Sequence, residues 1–374
     1  MSLRDYAWML NDPARINAFR RAITAIVKPG DVVVEIGAGL GTFSFLACQA
    51  GASRVYAIED NVFDALCEIV DKQTFCDRIK PIRGNSHNIK LPEKANVIIF
   101  EDFNSAFLGV GMNKFFDDSS RRFLLSGGKW LPSEAVICGA LYEAPAKWEK
   151  LSAWRNENDH LGGLDFSPLA GWMLNSKFRD EYSPDGFISS PRDLRRYRLG
   201  GEAETYDLSW RGEDVSERRA NVHGICVWFR LEFGDGIILD NAPGTDETVY
   251  QQVFFPLSAP VPVADGERVE WSLYCTPGGD GNEISWNWRV ESQGGLAEGT
   301  TFADSPFLVA NLIKNSENHV PILDSDLRMA KFILGEVDGK QTQGEIAVKL
   351  QKEFPNKIQG ERKALQYVVY VLGN

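Results

Sequence analysis

The chain has 374 residues, of which 44% are hydrophobic and 25% charged, and a formal net charge of −12. It lacks a run of about 18 apolar residues to span a membrane, and its opening Met-Ser-Leu-Arg-Asp-Tyr lacks a basic-then-apolar signal layout, so a soluble, cytoplasmic protein of two or three domains is expected. The acid excess argues against a nucleic-acid surface, and the six scattered cysteines form no C-x-x-C pair, which predicts buried free thiols, with neither a metal site nor a disulfide framework.

Apolar residues recur at helical spacing over residues 14–27, and Lys28-Pro29-Gly30-Asp31 closes that helix. The β-branched run Val32-Val33-Val34 follows and ends in Glu35-Ile36-Gly37-Ala38-Gly39-Leu40-Gly41. Closely spaced glycines let a strand turn into a helix without a Cβ penalty and let a ligand approach the main chain. Val55-Tyr56-Ala57-Ile58 is the expected neighbouring parallel strand, and Glu59 at its end is placed to accept hydrogen bonds from both hydroxyls of a ribose. Such a turn serves a dinucleotide or S-adenosylmethionine. A pyrophosphate binder prefers G-x-G-x-x-G, whereas here Thr42 occupies the last position and an acid precedes the first glycine, which favours S-adenosylmethionine.

Strand–helix alternation continues to about residue 130, with strands at Ile79-Lys80-Pro81-Ile82 and Asn96-Val97-Ile98-Ile99-Phe100 and a helix at about residues 113–125. This is the pattern of a doubly wound parallel sheet, and Glu101 stands at a strand end, where such sheets contact ligands. After Leu131-Pro132-Ser133, alternating runs at residues 135–141, 224–233, 251–257, 269–274 and 284–290 predict an antiparallel β-barrel or sandwich. Within it, residues 148–172 read as a polar, aromatic, helical insert whose Trp and Leu residues serve either the core or a partner subunit. Residues 327–372 are again helical. Asp338-Gly339-Lys340 forms a turn, Thr342 caps a helix with Glu345 three residues on, and Ile346, Leu350, Phe354, Leu365, Val368, Val369 and Leu372 fit a small helical or winged-helix module. Three parts are expected: an α/β Rossmann-like domain over 1–132, a β-barrel over 133–324 with an arm at about 148–172, and a helical module over 325–374.

The run Glu35-x-Gly37-x-Gly39-x-Gly41 resembles motif I of class I methyltransferases, and the order of parts over residues 9–290 resembles the protein arginine methyltransferase family. The resemblance implies S-adenosyl-L-methionine as cofactor. Met9 and Arg15 are similar to a family helix whose methionine packs near the sulfonium and whose arginine pairs with the methionyl carboxylate. Glu35, Gly37, Gly39 and Gly41 match the cofactor loop and Glu59 the ribose acid, while Ile82-Arg83-Gly84-Asn85-Ser86-His87 resembles the stretch that frames the adenine and assigns Ser86 and His87 there.

The acceptor side departs from the family. The family holds a guanidinium between two glutamates nine residues apart; Glu101 matches the first, but Val110 stands in place of the second. Thr248-Val249-Tyr250 keeps the threonine and an aromatic of the family's Thr-His-Trp loop without its histidine. Losing one charge-assisted contact costs an arginine acceptor about 2 kcal/mol. Glu101 is therefore the expected catalytic group for an amine, with Val110, Thr248, Val249 and Tyr250 lining the acceptor pocket and Asp102 or Glu247 near enough to replace the second glutamate. Tyr6 and Trp8 are placed to close over the cofactor.

Ile333-Leu334-Gly335-Glu336-Val337-Asp338-Gly339 and Thr342-x-x-Glu345-Ile346-Ala347 resemble the PqqD-like modules, which hold a peptide as an added strand; the alternative is a structural or dimer-supporting cap. The leading expectation is a peptide- or protein-directed N-methyltransferase. Its competitors are a small-molecule methyltransferase of secondary metabolism and an inactive, cofactor-binding regulatory subunit. The resemblance, with the aromatic content of residues 154–172, implies a homodimer formed through the arm.

Overall fold

The computed structural model describes residues 3–373 apart from 104–105, 110, 156–162, 202–204, 277–284, 307–319, 321, 324 and 359. Val110, Ile284 at the start of an expected strand, and residues 156–162 of the arm therefore lie outside the described residues. The chain divides into two compact units, residues 1–306 and 307–374.

The first unit opens with α1 (Leu3–Leu10) and α2 (Pro13–Ile26). Asp12 starts α2: its Oδ1 accepts a hydrogen bond from the Arg15 amide at 2.8 Å, and Pro13 fills a first-turn position where no amide donor is needed. The buried stripe Ala18, Phe19, Ala22 and Ile23 seats α2 on the core. A parallel sheet follows, made of β1 (Val32–Ile36), β2 (Arg54–Glu59), β3 (Ile79–Arg83), β4 (Ala95–Phe100) and β5 (Leu124–Leu131) in the order β3-β2-β1-β4-β5. Helices α3 (Thr42–Gln49), α4 (Phe63–Asp71) and α5 (Met112–Phe123) alternate with the strands. The helix expected over 113–125 stops at Phe123 because Leu124 already pairs with Ala95 in the sheet. Strand order reverses between β1 and β4, and a crevice opens at such a switch point beyond the strand ends.

The antiparallel β part forms two sheets. One runs β7-β12-β10-β6-β8, with β11 on β10, from β6 (Glu134–Tyr142), β7 (Phe178–Asp180), β8 (Arg192–Arg198), β10 (Ala220–Gly234), β11 (Ile237–Asp240) and β12 (Gln252–Val263). The other runs β15-β14-β13-β9, from β9 (Leu208–Val215), β13 (Arg268–Thr276), β14 (Ser285–Ser292) and β15 (Gly295–Thr300). Aromatic packing joins them: Phe255 lies 5.0 and 5.2 Å, centre to centre, from Trp286 and Trp288, and Trp288 Nε1 donates to the Pro256 carbonyl at 2.7 Å. One continuous core runs from β1 and β4 through Phe103, Phe107 and Phe229 into these sheets.

The insert holds α6 (Pro145–Ser152), a 3-10 turn at Ala153–Arg155, and α7 (Ser167–Met173). Trp148 donates through Nε1 to the Leu257 carbonyl at 2.8 Å and so ties the insert to the sheet, while Leu164 and Phe166 stay exposed.

In the second unit α8 (Ser325–Glu336), α9 (Gln343–Glu353) and α10 (Glu361–Leu372) pack around Met329, Ile333, Ile346, Leu350, Ala364 and Val368. The Thr342 hydroxyl accepts from the Glu345 amide, and Glu345 Oε2 accepts from the Thr342 amide at 2.7 Å, a complete capping box. Asp338 Oδ1 accepts from the amides of Lys340 and Gln341, which makes the expected turn. On the last helix the 3.6-residue period turns Ala364 and Val368 inward and leaves Leu365 and Val369 exposed. Among the described residues this unit contains no strand, so the sheet edge that a PqqD-like module offers a peptide is not among them. No helix among the described residues is long and apolar enough to cross a membrane.

Candidate active site

The site sits beyond the C-terminal ends of β1, β2 and β4. Gly37, Gly39 and Gly41 adopt φ of 72°, 55° and 83°, a left-handed conformation that side chains disfavour. At Gly39 space is short as well: a Cβ would lie 2.6 Å from Cε1 of Tyr6, whose ring rests on the loop. Glu59 clamps this turn. Its Oε2 accepts from the Gly39 amide at 2.8 Å, and its Oε1 from the amides of Asp60, Asn61 and Val62 at 2.9, 2.7 and 3.2 Å. The carboxylate expected to meet a ribose thus also shapes the loop below it. Beneath the loop, Glu35 is buried and accepts from the Ser44 hydroxyl. Burial outweighs that bond and pushes the Glu35 carboxyl up to about 8.

Met9, Arg15, Glu35, Gly37, Gly39 and Glu101 line one narrow pocket. Arg15 donates through Nη1 to the Met9 carbonyl at 3.1 Å, and through Nη2 to Glu101 Oε2 in a buried ion pair. Its guanidinium carbon lies 5.0 Å from the centre of the Phe43 ring. Its Nε is buried with no partner among the described residues. An orphaned cationic donor in a pocket floored by glycine backbone fits an anionic ligand tail such as an amino-acid carboxylate.

A wider cavity of about 710 Å³ continues from Gly37 past Glu59 to Ser86 and His87. Its size suits a nucleoside. Arg122 fixes its far rim by donating to the carbonyls of Ile89 and Ser86 at 2.6 and 2.7 Å, with Asp118 as counter-charge. His87 lies 3.5 Å from Asp118 and meets the Phe115 ring edge-on, so it lines the mouth and not the floor. Burial and the Glu59 and Asp102 charges push the Tyr6 phenol, on the near rim, up to about 12.

Across Glu101 lies a second cavity of about 650 Å³, lined by Met9, Glu101, Asp102, Lys177, Arg179, Val249 and Tyr250, among others. The buried Tyr250 hydroxyl donates to Glu101 Oε1. Burial and the Glu101 charge hold that phenol well above 10, so it stays a donor. The Tyr250 loop is fixed at both ends. Asp12 Oδ2 accepts from the Val249 amide at 2.9 Å, and Gln251, at a φ of 54°, has its carbonyl held by Asn241 Nδ2 at 2.5 Å.

The structure therefore brings Met9, Arg15, Glu35, Gly37, Gly39, Glu59, Ser86, His87, Glu101, Val249 and Tyr250 to one connected crevice. Gly41 heads α3 just behind it. Thr248 is buried with its hydroxyl unpartnered among the described residues and does not line the second cavity, where the sequence expected it; Glu247 does not line it either, whereas Asp102 does. Asp12, Lys177 and Arg179 were given no role by the sequence: Asp12 works through a contact across 237 positions, and the two cations lie on and just before a strand too short to show periodicity. No group of three or more His, Cys, Asp or Glu among the described residues is placed to hold a metal ion.

Residues 10–119 match a family model described as TRM5/TYW2 methyltransferase domain. The chain is 28% identical over 286 residues to a probable histone-arginine methyltransferase 1.3 of Arabidopsis thaliana, covering 71% of this chain and 52% of that protein. It is 24% identical over 301 residues to protein arginine N-methyltransferase 1 of Saccharomyces cerevisiae, covering 76% of this chain and 85% of the yeast protein. The chain thus spans about half the length of the plant relatives it matches. Among solved structures, a chain of the Trypanosoma brucei PRMT1 enzyme–prozyme heterotetrameric complex with AdoHcy superposes with a TM-score of 0.72 at 22% identity, covering 79% of this chain and 97% of that one. At that identity the likeness is one of fold. In sequence and fold the chain is protein arginine methyltransferase-like, with a crevice of the S-adenosylmethionine-binding kind.

Proposed function

We propose that the chain is an S-adenosylmethionine-dependent N-methyltransferase acting on a peptide or protein. The observation that supports this best is the meeting of two cavities at Glu101: a nucleoside-sized one running from the glycine loop to His87, and an acceptor cavity on the other side, both lined by Met9, Glu101 and Asp102. Arg15 would hold the methionyl carboxylate, Glu59 the ribose, and Ser86 and His87 the rim around the adenine. S-adenosylmethionine supplies a methyl group on a sulfonium, so the protein has chiefly to align an acceptor nitrogen and keep water out.

Glu101 does the aligning. It accepts an N–H of the acceptor, points the nitrogen lone pair toward the cofactor pocket, and takes up the released proton. Tyr250 and Arg15, bonded to its two oxygens, fix the plane of the carboxylate. With valine at position 110, a neutral amine, which needs one acceptor, suits this pocket better than a guanidinium.

The test is incubation of host extract with methyl-labelled S-adenosylmethionine and this protein, followed by size fractionation, with Glu101→Gln alongside. We expect label in peptides or proteins, reduced roughly a hundredfold or more in the variant. Label in small molecules alone points to a metabolite enzyme. A second reading, a catalytically silent partner subunit, is favoured by the occupation of both Glu101 oxygens by protein groups, and it predicts no Glu101-dependent label in any fraction.

We further propose that the arm mediates a homodimer, since α6 is anchored on the sheet while Leu164 and Phe166 remain exposed. Removing residues 153–166 should convert a sedimenting dimer to a monomer; a deleted variant that stays dimeric refutes the assignment.

A further inference from the structure

The acceptor cavity carries both signs of charge on opposite elements. Glu101 and Asp102 follow the end of β4, and Lys177 and Arg179 come from the edge strand β7 and the residue before it. Residues two apart on extended chain face the same way, and Arg179 pairs in register with Val253, itself a cavity residue. The Lys177 ammonium lies 5.5 Å from the centre of the Trp286 ring, which steadies its stem.

Among the described residues neither cation has an ion-pair partner, whereas the adjacent Asp180 is paired with Lys147. This is a chain with 52 acidic and 40 basic residues, in which most described arginines on the antiparallel sheets are matched by carboxylates. Two cations that line one cavity without a described carboxylate at ion-pair distance therefore stand out, Asp304 acting on Lys177 only from further off. Arg179 also borders the nucleoside cavity, which places it at the seam where an acceptor must enter.

We infer that the acceptor carries a carboxylate close to the nitrogen that is methylated, and that Lys177 and Arg179 bind this carboxylate; the preferred target is a peptide amine flanked by Asp or Glu. The inference rests on the peptide-directed reading above. The nitrogen goes to the Glu101 wall and the carboxylate to the β7 wall, so the acceptor's two charges are matched in one orientation only. Arg179 offers a planar fork for a carboxylate, and Lys177 adds a point charge. A basic flanking residue would instead meet like charge. Because the cavity is open to water, screening limits the gain to about tenfold in affinity.

The test uses the intact protein saturated with S-adenosylhomocysteine and three fluorescein-labelled peptides, in which one lysine is flanked by glutamate, glutamine or lysine. Anisotropy reads binding, and methyl-label transfer to the same peptides reads KM and kcat. The glutamate-flanked peptide should bind about tenfold tighter than the glutamine-flanked one, with the gap closing as salt rises. In Arg179→Glu and Lys177→Glu the order should invert, the lysine-flanked peptide becoming the best ligand, which a merely structural role for either residue would not produce. Equal binding of all three, no peptide binding, or an order unchanged by both variants overturns the inference. Free glutamate binding where no peptide does overturns the peptide source. An acidic preference without methyl transfer sinks the methyltransferase reading and leaves only the carboxylate-binding role of Lys177 and Arg179; transfer without preference keeps that reading and overturns the inference.

Discussion

The two sides of the crevice, the one proposed for the cofactor and the one proposed for the acceptor, are assembled in different ways. Glu35, Gly37, Gly39 and Glu59 come from the adjacent parallel strands β1 and β2 and the turn that leads β1 into α3, and backbone amides bonded to Glu59 fix that turn. The proposed acceptor side draws Asp12, Glu101, Lys177, Arg179 and Tyr250 from segments far apart in the chain; Glu101 is held by Arg15 and Tyr250, and Asp12 accepts from the Val249 amide. A wall made by a local turn tolerates little change of backbone. One made by side-chain contacts can be altered residue by residue.

Three tests sharpen or break this contrast. The largest effect is expected from Gly39→Val, which combines an unfavourable φ with a Cβ placed against Tyr6; S-adenosylhomocysteine affinity by titration calorimetry should fall on the order of a hundredfold. Adding Tyr6→Ala should restore part of the loss, the part due to the clash. Next, Tyr250→Phe removes the donor to Glu101, and kcat should drop about tenfold with cofactor affinity unchanged. An equal loss of cofactor affinity would mean that the two walls do not act separately.

The third test is Glu35→Gln, read as stability against pH. The folded carboxyl is raised from 4.5 to about 8, so the native state holds a proton that the unfolded state releases. Its stabilising contribution is full below pH 4.5 and is lost as pH rises toward 8. The melting temperature of the parent should therefore decline over that window, and the variant should decline less.

The parallel sheet and the glycine loop were legible in the sequence because their signals are local: a β-branched run, spaced glycines and an acid at the next strand end. The antiparallel runs were legible from alternation, and the capping box of α9 from Thr342 and Glu345 alone. The ties across the crevice were not legible. Arg15 to Glu101 spans 86 positions and Tyr250 to Glu101 spans 149, and a single sequence carries no mark of such pairings. Family resemblance supplied Glu101 and Arg15 as separate parts, but not the bond between them. Lys177 and Arg179 escaped notice because a three-residue edge strand after an insert looks like ordinary charged surface.

Asp12 divides one carboxylate between two tasks, Oδ1 to the first turn of α2 and Oδ2 to the Val249 amide. Fraying at the start of α2 must therefore release the acceptor loop at the same moment. In hydrogen exchange the Val249 amide becomes a remote clock for the opening of a helix 237 positions away, and a ligand that quiets Arg15 should slow it without touching it.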